Sequence, residues 1–210
     1  MESLASLAYR VIADRIITLD IRPNEAINES QLSKDMQMGR TPIREALGKL
    51  ENDRLVVTKM RKGAFAAPVD PSDFRQVSLI RHALEPVAAG LAAEHYHPGH
   101  AETLDQHLEL LRSLRTRSLE QSELMRLHLA VHKLIYGLSM NRHLEDTLTR
   151  YAHLSIRLWS LLLERQPPVV ERTLELAEIL ERIEANDSEQ SRSLMDQHVR
   201  AFDNYLAGLR

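Results

Sequence analysis

Residues 27–51 hold two short helical patterns with almost nothing between them, and that spacing limits the fold more than any other feature. Ile27 to Gln37 reads as one helix, with Asn28 as its cap and an acid, Glu29, near its start. Met38-Gly39 is the whole connection. Two helices joined so tightly cross at a steep angle instead of lying side by side. The second pattern runs from Gly39 to Glu51. Thr41 can cap it, and Pro42 falls in the first turn, where a backbone N–H would have no helical partner anyway. Ile43, Ala46, Leu47 and Leu50 recur at helical spacing and form one core-facing stripe. Arg40, Thr41, Arg44 and Gly48 lie at the exposed front or off that stripe.

A helix front with free amides and two guanidinium groups suits phosphate, and a guanidinium can also fork onto guanine in a major groove. Taken alone, the stretch reads equally well as a surface helix with solvated arginines. Its surroundings favour the first reading. Ser3 to Leu19 is an amphipathic helix carrying Leu4, Leu7, Ala8, Val11, Ile12, Ile16 and Leu19, expected to pack beneath the other two. After Asp53, the β-prone runs Leu55–Thr58 and Ala64–Ala67 flank Lys59-Met60-Arg61-Lys62-Gly63, a hairpin with a basic tip. Three helices and a hairpin make a winged helix-turn-helix. The chain as a whole carries a net charge of −3. Between Arg40 and Lys62, however, seven basic residues face three acids, and a local positive face is enough for phosphate contact.

Pro68-Val69-Asp70-Pro71-Ser72 is the clearest boundary, so units over 1–69 and 70–210 are expected. Beyond it the pattern is helical throughout, over roughly 72–96, 99–117, 119–139, 142–164, 168–185 and 188–208. Breaks fall at His97-Pro98-Gly99, near Ser118, at Ser139-Met140-Asn141, at Gln166-Pro167-Pro168 and at Ala185-Asn186-Asp187. The expected fold class is therefore mainly α: a winged helix-turn-helix followed by an antiparallel all-helical bundle with a leucine-rich core. The absence of cysteine excludes disulfides and thiolate metal sites. No charged-then-apolar leader or membrane-spanning run is present, so a cytoplasmic protein without membrane contact is expected.

All ten histidines lie at or beyond His82. His128 and His132 are four apart and share a helical face. Leu124, Leu127, Val131, Leu134, Ile135 and Leu138 define the buried stripe, placing His128 on it and His132 at its margin. His198 falls beside Leu194 and Met195, again towards a core. Three inward imidazoles form a metal-site pattern with neutral nitrogens as ligands; hydrogen-bonded core histidines are the alternative. Arg81 lies close to the apolar Leu84 and Val87 side, where it can anchor an anionic effector or make an ordinary salt bridge. His82, His95, His97, His100, His107, His143 and His153 show no mutual spacing and read as surface, cap or local core residues. Tyr151 and Trp159 share one helix and read as packing or pocket lining.

The run Arg40-Thr41-Pro42-Ile43-Arg44-Glu45-Ala46-Leu47, with Leu50-Glu51, Leu55-Val56 and Lys62-Gly63-Ala64-Phe65, resembles the GntR family of bacterial transcription regulators. Arg81, Leu84-Glu85, Ala88–Ala93 and the region of Asn141, Asp187 and His198 resemble the FCD ligand-binding domain of its FadR branch. The resemblance implies a homodimeric repressor on a palindromic double-stranded DNA operator, with a small carboxylate effector in the helical domain. Arg40, Thr41 and Arg44 would contact the operator, and Lys62-Gly63 would place the wing in the minor groove. Three departures stand out: Asn24 and Arg54 where the family has glycine, and Ser30 where some members have an arginine.

Metal-binding FCD domains supply an aspartate and a histidine four apart, a second histidine on a later helix and a third on the last. His132 and His198 match the histidines, His128 stands in for the aspartate, and Leu176 occupies the remaining ligand position. The resemblance thus implies an effector pocket around Arg81, His128, His132 and His198. One divalent metal, Zn²⁺ or Ni²⁺, would sit on the three histidines with positions open for water or a carboxylate; a metal-free polar pocket is the alternative. A different function also fits the residues: a metal-dependent hydrolase with a winged-helix appendage, since open zinc coordination can activate water. No nucleophile motif or phosphate loop accompanies it. A helical module whose winged helix binds protein is a third reading.

Overall fold

The computed structural model describes residues 2–163 and 169–208. Helices α1 (Leu4–Ile17), α2 (Glu29–Asp35) and α3 (Arg40–Asn52) lead into a hairpin of β1 (Val56–Lys59) and β2 (Gly63–Ala66). The helices α4 (Pro71–His95), α5 (Ala101–Ser113), α6 (Gln121–Leu138), α7 (Arg142–Leu163), α8 (Val169–Glu184) and α9 (Ser188–Gly208) follow. A winged helix-turn-helix thus precedes a helical bundle. The elements match the sequence patterns closely, except that α5 stops at Ser113 and a 3₁₀ turn over Pro98–His100 precedes it. The break read at Gln166-Pro167-Pro168 lies outside the described residues.

Local chemistry explains where the first helices begin. Asn28 accepts the amides of Ser30 and Gln31 at the start of α2. The start of α3 differs from the sequence expectation: its N-cap is Gly39, without a side-chain bond, and Thr41 is the second helical residue. The Ser33 hydroxyl donates to the Met38 carbonyl at 2.6 Å and fixes the turn early, so helical geometry is already established at Arg40. Pro42 still sits in the first turn, where it removes no intrahelical bond. Ile12 and Ile16 of α1 meet Ile43 and Leu50 of α3 in a core from which water is fully excluded. The wing pairs Val56 with Ala66 and Lys59 with Gly63, and Gly63 takes φ +88° at the turn. Asn24 adopts φ +66° and donates its N–H to the Ala66 carbonyl, which ties the wing to the segment before α2.

In the bundle, α4 packs against α6, α7, α8 and α9. Its Ala88, Ala89, Ala92 and Ala93 are fully buried, and small side chains let neighbouring helices approach closely. Gly90 leaves room for the Arg192 side chain of α9, which any Cβ there would strike. Polar contacts join bundle to winged helix. Arg126 of α6 pairs with Asp14 of α1 at 2.8 Å, Arg150 of α7 with Asp53 at 2.8 Å, and Arg157 of α7 donates to the Ala67 carbonyl at 2.5 Å. The Tyr9 hydroxyl also reaches Asp53, at 2.6 Å. Among the described residues, no helix is long and apolar enough to cross a membrane.

The C-terminus of α3 carries local strain. Leu55 donates to Leu50 and Arg54 to Glu51, a Schellman closure, and Arg54 occupies the left-handed position at φ +61°. Glycine is the residue that adopts this conformation without a Cβ clash. Arg54→Gly is therefore expected to raise the free energy of unfolding by about 1 kcal/mol. Urea denaturation checks this: an unchanged or lower midpoint would show that Arg54 is not strained.

Candidate functional site

The first site is the front of α3 with the wing beside it. Because Gly39 offers no capping side chain, the first amides of α3 face outward without a side-chain acceptor. Arg40, Thr41 and Arg44 are all exposed there. Arg40 donates to the Ser30 hydroxyl at 3.2 Å, and Arg44 Nε donates to Glu29 at 2.8 Å. Both guanidinium groups are therefore tethered to α2, which holds them at the helix front. Lys62 and Gly63 are exposed in the wing turn, and the Lys59 ammonium lies 4.4 Å above the Phe65 ring. The surface offers backbone amides and cations at one end of a helix whose opposite face is core.

The second site is interior. His128 and His132 on α6 and His198 on α9 are all buried, and one ring nitrogen from each falls within 4.8 Å of the others. His132 is fully buried, not at the stripe's margin as its spacing suggests, because Glu85 of α4 and His198 of α9 lie against it. Trp159 of α7 packs 5.5 Å from the His128 ring. Leu176 is fully buried and contributes no ligand atom.

The hydrogen bonds around the rings favour a proton on each Nδ1. Thr173 donates its hydroxyl to the Val169 carbonyl, so its oxygen accepts from His128 Nδ1 at 3.2 Å. Tyr136 donates to Glu85 Oε1 at 2.8 Å, leaving its own oxygen to accept from His132 Nδ1 at 3.2 Å, with Glu85 Oε2 lying 3.3 Å from the same nitrogen. Glu175 accepts from His198 Nδ1 at 3.0 Å. With every Nδ1 proton engaged, the lone pairs lie on Nε2. The Nε2 atoms of His132 and His198 face each other at 3.3 Å. A proton on one Nε2 would join the two in a hydrogen bond; two bare lone pairs at that distance repel unless a cation lies between them. Nitrogens bound tetrahedrally to zinc at about 2.0–2.1 Å sit roughly 3.3–3.4 Å apart, so this pair fits a metal. Carboxylate partners on ligating imidazoles are a recurrent outer support of such sites.

Electrostatics agree. Burial pushes His128 well below its usual pKa, and His132 and His198 add to the effect. Burial also lowers His132, against the opposing pull of Glu85. Metal ligands must be neutral imidazoles, and burial favours that form for His128 and His132. Burial alone would raise Glu85, but Arg81 and His132 outweigh it and hold the carboxylate below its ordinary range. Arg81 itself is buried, 2.5 Å from Glu85 and hydrogen-bonded to Ser155 of α7. Its position puts it one layer from the histidines, behind Glu85. Sequence reasoning missed Glu85, Tyr136, Thr173 and Glu175 as site residues. The first two had a signal, since Arg81 and Glu85, like His132 and Tyr136, are four apart on one helix.

Comparison with known proteins follows the same division of the chain. Residues 76–201 match the FCD domain, and residues 4–66 match the bacterial regulatory proteins of the gntR family. The HTH-type transcriptional regulator YdhC of Bacillus subtilis is 31% identical over 140 residues, 67% of this chain and 62% of that protein. The Nta operon transcriptional regulator of Aminobacter aminovorans is 29% identical over 136 residues, 62% of this chain and 61% of that one. The chain thus spans about three-fifths of the length of these two relatives. Among solved structures, E. coli McbR/YncC superposes with a TM-score of 0.84 at 19% identity, covering 100% of this chain and 99% of the other. A GntR transcriptional regulator from Rhodococcus sp. RHA1 gives 0.69 at 19% identity, with 98% of each chain covered. These two structural likenesses show the fold.

Glu175 is partly exposed and, among the described residues, meets the cluster through His198, so its support of a bound metal can be tested separately. Glu175→Gln is expected to lower Zn²⁺ affinity by about tenfold to a hundredfold while leaving thermal unfolding of the apoprotein unchanged. Competition against a chromophoric chelator reads this directly. Unchanged affinity would remove Glu175 from the support of the site.

Proposed function

The chain belongs to the GntR family of bacterial regulatory proteins and carries an FCD domain, and from that premise we propose that it is a ligand-responsive, DNA-binding repressor of transcription. Residues 1–69 would form the DNA-binding domain and 70–210 the domain for effector binding and dimerisation. The protein would work in the cytoplasm as a homodimer, presenting two α3 helices to a palindromic operator. The observation that supports this best is the front of α3, where Arg40, Thr41 and Arg44 stand exposed beside the basic wing. Arg40 and Arg44 would enter the major groove, Thr41 would meet phosphate, and Lys62-Gly63 would follow the minor groove. The matched families and the relatives are regulators, so the hydrolase alternative falls away.

His128, His132 and His198 would hold one Zn²⁺ or Ni²⁺ by their Nε2 atoms, with Leu176 leaving that side of the coordination sphere to water or to the carboxylate of a small organic acid. Such a metal supplies a Lewis-acidic anchor for an anionic effector. The coupling to DNA would run through α7. Its Ser155 bonds Arg81 and its Trp159 packs on His128, while its Arg150 and Arg157 hold Asp53 and the Ala67 carbonyl of the winged helix. An effector carboxylate that competes with Glu85 for Arg81 would release Ser155 and let α7 move. Ligand and operator would then change each other's affinity by the same factor.

Selection from random duplexes supplies the test. A sequence-specific palindrome is expected, and Arg44→Ala should weaken binding to it by about 1–3 kcal/mol at fixed salt without altering unfolding. Failure to enrich any sequence, or full affinity in the variant, would sink the proposed reading of α3.

A further inference from the structure

The tip of the wing carries an apolar residue where polar ones are usual. Lys62 donates its N–H to the Lys59 carbonyl at 3.0 Å, so Met60 and Arg61 are the central residues of the turn. Turns favour glycine, asparagine and aspartate, which adopt its backbone or bond to it. Here Arg61 takes the left-handed conformation, φ +60°, that glycine or asparagine adopts more readily. Met60 is 88% exposed, more than any other large apolar residue among those described. A single exposed apolar residue is ordinary on a protein surface. Two features set this one apart.

The first is its setting. Lys59, Arg61 and Lys62 are all exposed around it, and no acid interrupts the run from Lys59 to Gly63. Three cations at a projecting tip draw it onto a phosphate backbone, which brings the methionine to the edge of a groove. The second is its mount. The Glu51 carboxylate of α3 accepts the Thr58 N–H and hydroxyl of β1 at 2.8 and 2.9 Å. On the other edge, β2 is bonded to the segment before α2: Ile27 donates to Ala64, Ala66 to Glu25 and Asn24 to Ala66, each at 2.9 Å. The hairpin is held on both edges, so a load on its tip passes to α3 and to that segment.

We propose that Met60 is a wedge: it enters the minor groove of bound DNA, inserts between two base pairs and kinks the duplex. The inference rests on the DNA-binding reading of the winged helix. Apolar side chains, methionine among them, are the ones that open base steps from the minor groove. The groove is about 6 Å wide, and an unbranched thioether chain is slim and adaptable enough to enter it. Removing that chain from water offsets part of the cost of unstacking. Pyrimidine–purine steps, TA and CA/TG, unstack most easily. The wing thereby adds a preference for such a step to what α3 reads, without a hydrogen bond to its bases.

A duplex centred on the palindrome recovered by selection, with a fluorophore at each end, reads the bend by energy transfer in complex with the full chain. Wild-type protein is expected to bend it by about 20–90° and to make a thymine under the wing reactive to permanganate, which attacks unstacked bases. Met60→Ala should leave the bound duplex straight and its thymines unreactive, and should raise Kd roughly tenfold. Met60→Leu, another apolar wedge, should keep both signals. The side chain is so exposed that it adds little to folding, and the variants therefore report on the duplex. A straight duplex under wild-type protein, or an equal bend under Met60→Ala, would overturn the wedge and leave the reading of α3 standing. Failure to bind any duplex would sink both.

Discussion

The buried ion pair between Arg81 and Glu85 governs how the bundle can be assembled. Glu85 has no solvent exposure, and an isolated carboxylate there would be intolerable. Arg81 supplies the countercharge from one turn earlier on α4, while Tyr136 and His132 reach across from α6 and Ser155 from α7. Breaking such a pair by removing one partner costs about 3–5 kcal/mol. The three helices therefore cannot slide past each other by small increments, because every increment strands a charge. A packing of that kind favours discrete arrangements over gradual sliding, which is what a protein needs if an event in its interior is to be felt at its surface.

The same network orders the histidine cluster. Its carboxylate and phenol favour a proton on Nδ1 of His132, and Glu175 and Thr173 do the same for His198 and His128. The cluster is thus a consequence of polar groups contributed by α4, α6, α8 and α9 together. Only the portion of this pattern that lies along one helix was legible in the sequence. The spacing of His128 and His132 put them on a common face, and the run around His198 turned it inward. Which residues would meet them from α4 and α8 depends on helix crossing and rotation, which no single helix encodes. For the same reason Arg81 could be read as making an ordinary salt bridge, with nothing to show that its partner Glu85 would be fully buried.

The winged helix was more legible because its information is local. Caps, a two-residue connection and a hairpin turn are written within a few neighbouring positions, and the elements fall close to where those signals put them. The miss at Thr41 is instructive. A threonine before proline is a persuasive cap, but Ser33 closes the preceding turn from a distance and moves the helix start to Arg40. Asn24 and Arg54 illustrate the opposite case. Both take the left-handed backbone that glycine usually supplies, so the turns survive the substitutions and the difference appears as strain.

On the proposed role of Arg44, its tether to Glu29 would have a kinetic consequence. A guanidinium at a helix front that is already bound to a carboxylate must leave it before it can grip a base edge. Loose contacts with arbitrary duplex, made through phosphates and the wing, need no such exchange. If Arg44 reads bases as proposed, the molecule would slide with it parked and commit only where a guanine offered acceptors to replace Glu29. One surface carboxylate would in this way separate scanning from stopping.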